Sequence, residues 1–145
     1  MRDMQRRKVY DWEEKELQTH NLSVPVEFKD IPDFSKAMLR AAGYKYRVPK
    51  FKDGRRCRKA SYRPNSKTIV LPRWARTNVV IAHELAHYIV DKEVGLANAP
   101  WHGGYFMAAF LRLLVAAGFN NGDMRRSLWE AGIKFSPGIQ MDRAA

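Results

Sequence analysis

The stretch His83-Glu84-Leu85-Ala86-His87 constrains the fold of this chain more than any other. On an α-helix, residues four apart lie on one face, one turn above each other, so the two imidazoles can reach the same ion. Zn²⁺ accepts histidine nitrogens at about 2.0–2.1 Å, and a glutamate after the first ligand can point toward a metal-bound water. The pattern therefore predicts a helix that carries two metal ligands and a general base, Glu84.

A catalytic zinc site takes three protein ligands and keeps one open position, so a third ligand must come from elsewhere. His102 is the best candidate, because it lies fifteen residues after His87, where the next helix is expected to start. Asp91 and Glu93 are alternative ligands, but we expect Asp91, four residues past His87, to orient an imidazole instead. Tyr105 is a candidate for donating a hydrogen bond to the transition state, or for supporting one of the metal ligands.

Apolar periodicity predicts the surrounding elements. Helices are expected over residues 3–18, from Asp30 to Gly43, and over 77–91, 105–117 and 122–131, with an extended segment at 22–28. Strands are expected over 44–51, 55–63 and 68–71, with Lys52-Asp53-Gly54 as a hairpin turn. The strand 68–71 is expected at an edge, where an extended peptide can add to it. The predicted class is α+β: a small antiparallel or mixed sheet of about three strands packs against the helix of His83 and further helices.

The net charge of +11 is concentrated in one block. Between Arg40 and Arg76 lie 13 of the 26 Lys and Arg residues, but only one of the 15 acidic residues, Asp53. A localised basic patch favours a polyanionic partner, and nucleic acid is the obvious candidate; a solvated basic surface explains the patch equally well. Contacts with DNA are expected from the most concentrated basic residues, which are Arg55, Arg56, Arg58, Lys59 and Arg63.

Composition excludes several other classes. The single cysteine, Cys57, permits no intrachain disulfide and no cysteine-rich zinc finger, and it fits a reducing, cytoplasmic compartment. No apolar run reaches the roughly 18 residues that a membrane span needs, so no membrane association is expected. The basic start of the chain is not followed by the apolar region of a secretory signal.

Several segments together resemble a known family. The run Ile69–Arg76, the motif at His83 with Tyr88 after it, and His102-Gly103 with Phe106 resemble the small metallohydrolases of actinobacteria and their phages, as does Met1–Tyr10. This resemblance covers residues 1 to about 117. More distantly, the same histidines and Glu84 are similar to the SprT-like minimal zincins, whose members include DNA-dependent proteases that degrade proteins crosslinked to DNA. The four-cysteine zinc ribbon of some SprT-like proteins has no counterpart here.

The length of the chain predicts a single minimal zincin-like domain at residues 1–132, and Pro137 and Gly138 predict that residues 133–145 form a C-terminal tail. The resemblance has further implications. It implies one Zn²⁺ per chain on His83, His87 and His102, with Glu84 as the general base in hydrolysis of a peptide bond. The substrate would be a protein, including DNA-associated proteins, in the cytoplasm, or the host cytoplasm for a phage-encoded chain. Two alternatives stay open: a phage protease for one host regulator, and a nucleic-acid-binding module with a non-catalytic zinc site.

Overall fold

The computed structural model describes residues 2–135 of the chain. Within these residues the polypeptide forms five α-helices and a three-stranded sheet, which confirms the predicted α+β class. The helices are α1 (Arg6–Trp12), α2 (Ile31–Ala41), α3 (Asn78–Glu93), α4 (Gly104–Ala116) and α5 (Asn121–Glu130), and the strands are β1 (Lys50–Asp53), β2 (Ser61–Arg63) and β3 (Thr68–Leu71). A π-helical turn, Glu13–Leu17, continues α1, and 3₁₀ turns span Phe28–Asp30, Arg73–Ala75 and Leu96–Asn98. Among the described residues, no helix has the length and apolar character needed to cross a membrane.

The sheet is mixed, and its central strand is β3. β1 pairs with β3 in parallel and β2 pairs with β3 in antiparallel, so the strand expected at an edge lies in the middle. The predicted hairpin turn at Lys52-Asp53-Gly54 is wrong, because β1 and β2 are not neighbours and Asp53 still belongs to β1. Gly54 serves a close approach of two backbones instead: an added Cβ would lie 2.4 Å from the Pro72 nitrogen. The loop 54–60 then leads to β2.

The central helix of the core is α3. Thr77 caps its N-terminus by accepting a hydrogen bond from the Val80 amide at 3.3 Å. Every residue from Asn78 to Val90 except Val80 is buried, because the helix lies between α4 and the sheet. α4 is almost wholly apolar, and Gly118 follows its end at φ +104°. The predicted helices 77–91 and 105–117 are confirmed to within two residues at each end.

The N-terminal helix departs from the prediction in its second half. The expected helix 3–18 is an α-helix only to Trp12; beyond it the Gln18 amide donates to the Glu13 carbonyl, five residues back, at 2.9 Å. Val9, Trp12 and Leu17 are buried in the core, and Glu13 is buried beside them at 5% exposure. A carboxylate inside the protein needs a partner, and the partner of Glu13 is His83 on α3.

Two peripheral segments behave largely as expected. α2 ends close to Gly43, whose φ of +90° suits the residue after a helix. The segment 22–28, predicted to be extended, makes one isolated bridge between Pro25 and Thr77. That bridge ties the chain before α2 to the cap of α3.

The C-terminal boundary stays a prediction. Ile133, which the prediction assigns to the tail, is buried against the core, and its amide donates to the Leu128 carbonyl at 3.0 Å. Residues 136–145 of the predicted tail lie outside the described residues.

Candidate metal centre

Three buried histidines form the centre of the site. His83 and His87 lie one turn apart on α3, and His102 lies in the loop just before α4. One ligand nitrogen from each lies within 4.8 Å of the others, and the Nε2 atoms of His83 and His102 are 3.3 Å apart. None of the three residues is more than 4% exposed. The structure thus brings together the three histidines that the sequence predicted, and the cluster could hold a metal ion.

Two carboxylates from the N-terminal segment fix two of these rings. Nδ1 of His83 is hydrogen-bonded to Glu13, and Nδ1 of His102 to Asp3 at 2.7 Å. An ionised carboxylate can only accept, so each Nδ1 carries the proton and each Nε2 faces the cluster as a potential ligand. Asp3 also accepts from the His102 backbone amide at 3.3 Å. Carboxylates in this position orient a ligand and make its free nitrogen more basic.

Asp91 does not have the role that the sequence predicted for it. Its carboxylate accepts hydrogen bonds from the Tyr62 hydroxyl and from the Lys67 ammonium, both at 2.6 Å. Asp91 lies one turn beyond His87, where α3 has already passed the cluster and faces the sheet. It therefore ties α3 to β2 and to the turn before β3, and the supporting carboxylates are Glu13 and Asp3.

His87 is held by aromatic packing instead of a carboxylate. Phe106 stacks on its ring, with centroids 4.5 Å apart and planes 29° apart, and Trp101 lies 4.9 Å away. Its Nδ1 is buried and has no hydrogen-bond partner within residues 2–135. A buried nitrogen without a hydrogen-bond partner is uncommon in proteins, and it is compatible with a ring that binds an ion.

The surroundings give the three imidazoles different proton affinities. Burial lowers the pKa of His83, but the charge of Glu13 and its hydrogen bond outweigh burial and raise the pKa above its usual value. Burial, together with the charges of the other two histidines, holds the pKa of His87 well below the usual value. Burial also lowers the pKa of His102, against the opposing effect of Asp3. An extra proton in the cluster therefore resides on His83, while His87 and His102 stay neutral.

Glu84 lies at the same cluster with an altered acidity. Burial raises the pKa of this carboxyl to about 7; the charge of Glu13 adds to the rise, while His83 and a hydrogen bond from the Tyr62 backbone oppose it. Glu84 is 5% exposed. A carboxyl with a pKa near neutrality can both accept and return a proton at physiological pH.

Two adjoining cavities open at Glu84. Both are lined by Glu84, Tyr10 and Ala60. The larger, of about 600 Å³, continues past His83 along α1, and the smaller, of about 300 Å³, contains His87 and His102. The cluster is thus reached through a cleft whose walls are the N-terminal helix and the strand β2.

Tyr10 lines both cavities. Its ring centroid lies 5.4 Å from that of His83 and 5.1 Å from that of His102. Burial, followed by the charge of Glu84, raises the pKa of Tyr10 to about 12, so its hydroxyl stays protonated and can donate. Tyr105, the candidate that the sequence suggested, is half-buried against the core and lines neither of these two cavities.

The predicted nucleic-acid residues lie together on one surface. Arg55, Arg56, Arg58 and Lys59 belong to the loop between β1 and β2, Arg63 ends β2, and all five are exposed. Trp74 lies beside this loop, 59% exposed, and donates to the Arg58 carbonyl at 2.8 Å. Lys59 and Trp74 also line the larger cavity, so the basic surface borders the cleft.

Comparison of the chain with protein-family models, with curated proteins and with solved structures finds no match. The resemblance to the actinobacterial and phage metallohydrolases and to SprT-like zincins therefore stays a prediction.

Proposed function

We propose that this protein is a zinc metallopeptidase that hydrolyses a peptide bond in a protein substrate. The observation that carries the proposal is the junction of three buried imidazoles with the buried carboxyl of Glu84 at one cleft. A site that only bound a metal for structure would have four protein ligands and no need for such a carboxyl.

The spacing of the ligand nitrogens supports zinc as the ion. Two nitrogens that bind one ion at about 2.0–2.1 Å in a tetrahedral arrangement lie about 3.3–3.4 Å apart. The Nε2 atoms of His83 and His102 are 3.3 Å apart. Three histidines also leave one tetrahedral position open, as catalytic zinc sites do.

The ion would lower the pKa of a water molecule and polarise the substrate carbonyl. Glu84 takes the proton from the attacking water and returns it to the leaving amine. Glu13 and Asp3 hold His83 and His102 in the tautomer that leaves Nε2 free. Tyr10 donates its hydroxyl proton in a hydrogen bond to the oxygen on which negative charge develops.

The edge strand β2 is suited to hold the peptide. Ser61 and Tyr62 line the smaller cavity together with Glu84 and His87. Within residues 2–135 no strand pairs with the side of β2 away from β3, so an extended peptide can add to this edge through backbone hydrogen bonds. The hydrogen bond from the Tyr62 backbone to Glu84 couples this strand to the general base.

The test compares wild type, Glu84→Gln and the exposed control Glu14→Gln after zinc loading. Zinc content is measured by mass spectrometry, and cleavage of a histone is followed with and without single-stranded DNA. We expect one zinc per chain in all three proteins, cleavage by wild type and Glu14→Gln, and none by Glu84→Gln. Equal cleavage by Glu84→Gln would refute the proposal.

The DNA arm separates the substrate alternatives. Cleavage that requires DNA supports a DNA-associated substrate, for which the basic surface beside the cleft is suited. Absence of cleavage in both arms, with zinc bound, favours a protease for one specific regulator. DNA binding without cleavage, unchanged by Glu84→Gln, favours the nucleic-acid-binding module.

A further inference from the structure

His102 is the candidate metal ligand that no helix or strand holds. It lies in the turn between Pro100 and α4, whereas His83 and His87 are fixed by the backbone of α3. A ligand on a loop keeps its place only where other segments hold it, and a displacement of about 1 Å is enough to spoil a site. The contacts of His102 therefore decide whether the three histidines can act together.

The contacts that hold His102 come from residues 3–5. Asp3 accepts from the His102 backbone amide at 3.3 Å and is hydrogen-bonded to its Nδ1 at 2.7 Å. Gln5 donates from Nε2 to the His102 backbone carbonyl at 2.9 Å. The amide, the ring and the carbonyl of this one residue are thus all bound by a segment almost 100 positions away.

The side-chain amide of Gln5 also binds a third segment, the one that follows α5. Its Nε2 donates to the Lys134 carbonyl at 3.1 Å, and its Oε1 accepts from the Lys134 amide at 2.6 Å. Both amide hydrogens of Gln5 face carbonyls and its oxygen faces an N–H, so only one orientation of the group fits. Gln5 therefore joins residues 3–5, the loop of His102 and the segment after α5.

The helix that Gln5 precedes gives no other reason for this side chain. Gln5 is the N-cap of α1, yet its side chain makes no capping hydrogen bond. Ser, Thr, Asp and Asn are the residues preferred at this position. α1 has seven residues, and helices shorter than about 12–15 residues are marginal in isolation. The start of α1 is therefore held by its contacts with the rest of the protein.

We propose that Gln5 is a positioning residue for the third metal ligand, and that residues 3–5 form an N-terminal strap whose closure and metal binding strengthen each other. This coupling rests on the zinc site of the proposed function, and not on cleavage. Asp3 lines both cavities at Glu84, so the strap is also a wall of the cleft. Because strap closure and metal binding share His102, each favours the other by the same factor.

The first experiment compares the zinc affinity of wild type, Gln5→Met and Gln18→Met by competition with a chelator at fixed pH. Methionine keeps the length of glutamine and the net charge but removes the bonds to His102 and Lys134. Gln18→Met makes the same change on an exposed residue. Loss of a group behind a metal ligand costs about 10- to 100-fold in affinity. Since Gln5 binds the backbone of His102 and not its ring, we expect a loss of about tenfold in Gln5→Met and none in Gln18→Met.

Hydrogen exchange followed by NMR tests the coupling in the wild type, without a substitution. The Lys134 amide donates to Gln5 and the His102 amide to Asp3, so both amides report strap closure. Because the coupling is reciprocal, zinc should slow the exchange of both by about tenfold, the same factor as the affinity loss in Gln5→Met. In Gln5→Met the Lys134 amide should lose its protection. The Ile133 amide, which donates to a carbonyl of α5, is the internal control and should keep it.

The outcomes separate the strap from the peptidase. Weaker zinc binding by Gln5→Met, together with zinc-dependent protection of the Lys134 amide, supports the strap, and it does so whether or not any protein is cleaved. Unchanged zinc affinity in Gln5→Met overturns the strap and leaves the peptidase standing, even where the metal-free variant melts earlier, because Gln5 then has only a structural role. Lys134 exchange that zinc does not alter, or an equal loss of affinity in Gln18→Met, overturns it as well. Absence of zinc binding by the wild type refutes both proposals.

Discussion

Replacement of Glu13 by glutamine tests how the N-terminal segment supports the metal centre. Glu13 is 5% exposed and accepts a hydrogen bond from Nδ1 of His83, whose side chain is 4% exposed. Glutamine keeps the volume and an accepting oxygen, but it removes the charge that makes Nε2 more basic. Loss of a carboxylate behind a histidine ligand costs about 10- to 100-fold in metal affinity, which corresponds to about 1.4–2.7 kcal/mol.

Within that range, the two variants of Glu13 should differ. Glu13→Gln retains the hydrogen bond, so we expect a loss of zinc affinity near tenfold. Glu13→Ala removes the hydrogen bond and opens a space behind His83, so we expect a loss near 100-fold. Glu14→Gln makes the same change of net charge on an exposed neighbour and should leave the affinity unaltered.

Zinc affinity is measured by competition with a chromophoric chelator at a fixed pH. Circular dichroism and thermal melting of the metal-free proteins establish that each variant is folded before its affinity is compared. An affinity of Glu13→Gln within twofold of wild type would refute the reasoning, because the carboxylate would then have no influence on His83 as a ligand. An equal loss in Glu14→Gln would attribute the effect to net charge alone.

Two further predictions concern the proton chemistry and the transition state. Tyr10→Phe should lower kcat about 100- to 1,000-fold with KM and zinc content unchanged, whereas Tyr105→Phe should leave all three unaltered. Equal effects of the two variants in steady-state assays would remove Tyr10 from the mechanism. On acidification, we expect zinc affinity to begin to fall at a pH above the usual pKa of histidine. The ion must displace the proton on His83, and the charge of Glu13 raises the pKa of His83. Titrations at about pH 8 and about pH 6 should therefore show a larger fall in affinity for wild type than for Glu13→Gln, in which the pKa of His83 is lower; equal falls would contradict this.

The sequence was sufficient where the relevant information is local. The spacing of His83 and His87 needs only the geometry of one helix, and apolar periodicity fixed α3 and α4 to within two residues. His102 could be proposed because the zinc chemistry requires a third ligand and the chain offers few histidines.

The pairing of the strands could not be predicted from local sequence patterns. Lys52-Asp53-Gly54 has the composition of a hairpin turn, yet β1 pairs in parallel with β3. The loop 54–60 and β2 lie between these two strands in the sequence. A parallel pair is set by contacts distant in sequence, which no short window contains. Gly54 allows its backbone to approach Pro72 closely, and composition does not distinguish this role of a glycine from its role in a turn.

The carboxylates that hold His83 and His102 were not predicted, for a related reason, although the sequence pattern around one of them indicates its role. Glu13 is 70 positions from His83, and Asp3 is 99 positions from His102. In the sequence, however, Glu13 lies four residues after Val9 and four before Leu17, on the apolar side of its own helix. A carboxylate on an apolar face is costly to bury alone, so its position indicates a buried partner. Asp3 has no comparable pattern around it.

The position of Glu13 also bears on why the N-terminal helix becomes π-helical where it does. The widened turn begins at Glu13, and its carbonyl accepts from Gln18 instead of from the residue four positions on. The wider turn lets Glu13 point to His83 while Trp12 and Leu17, on either side, stay in the core. π-Helical turns often occur at functional sites because they move one side chain without breaking the helix. The candidate metal centre therefore depends on separate parts of the chain: α3 and the loop before α4 supply the histidines, and the N-terminal segment supplies the carboxylates that hold His83 and His102.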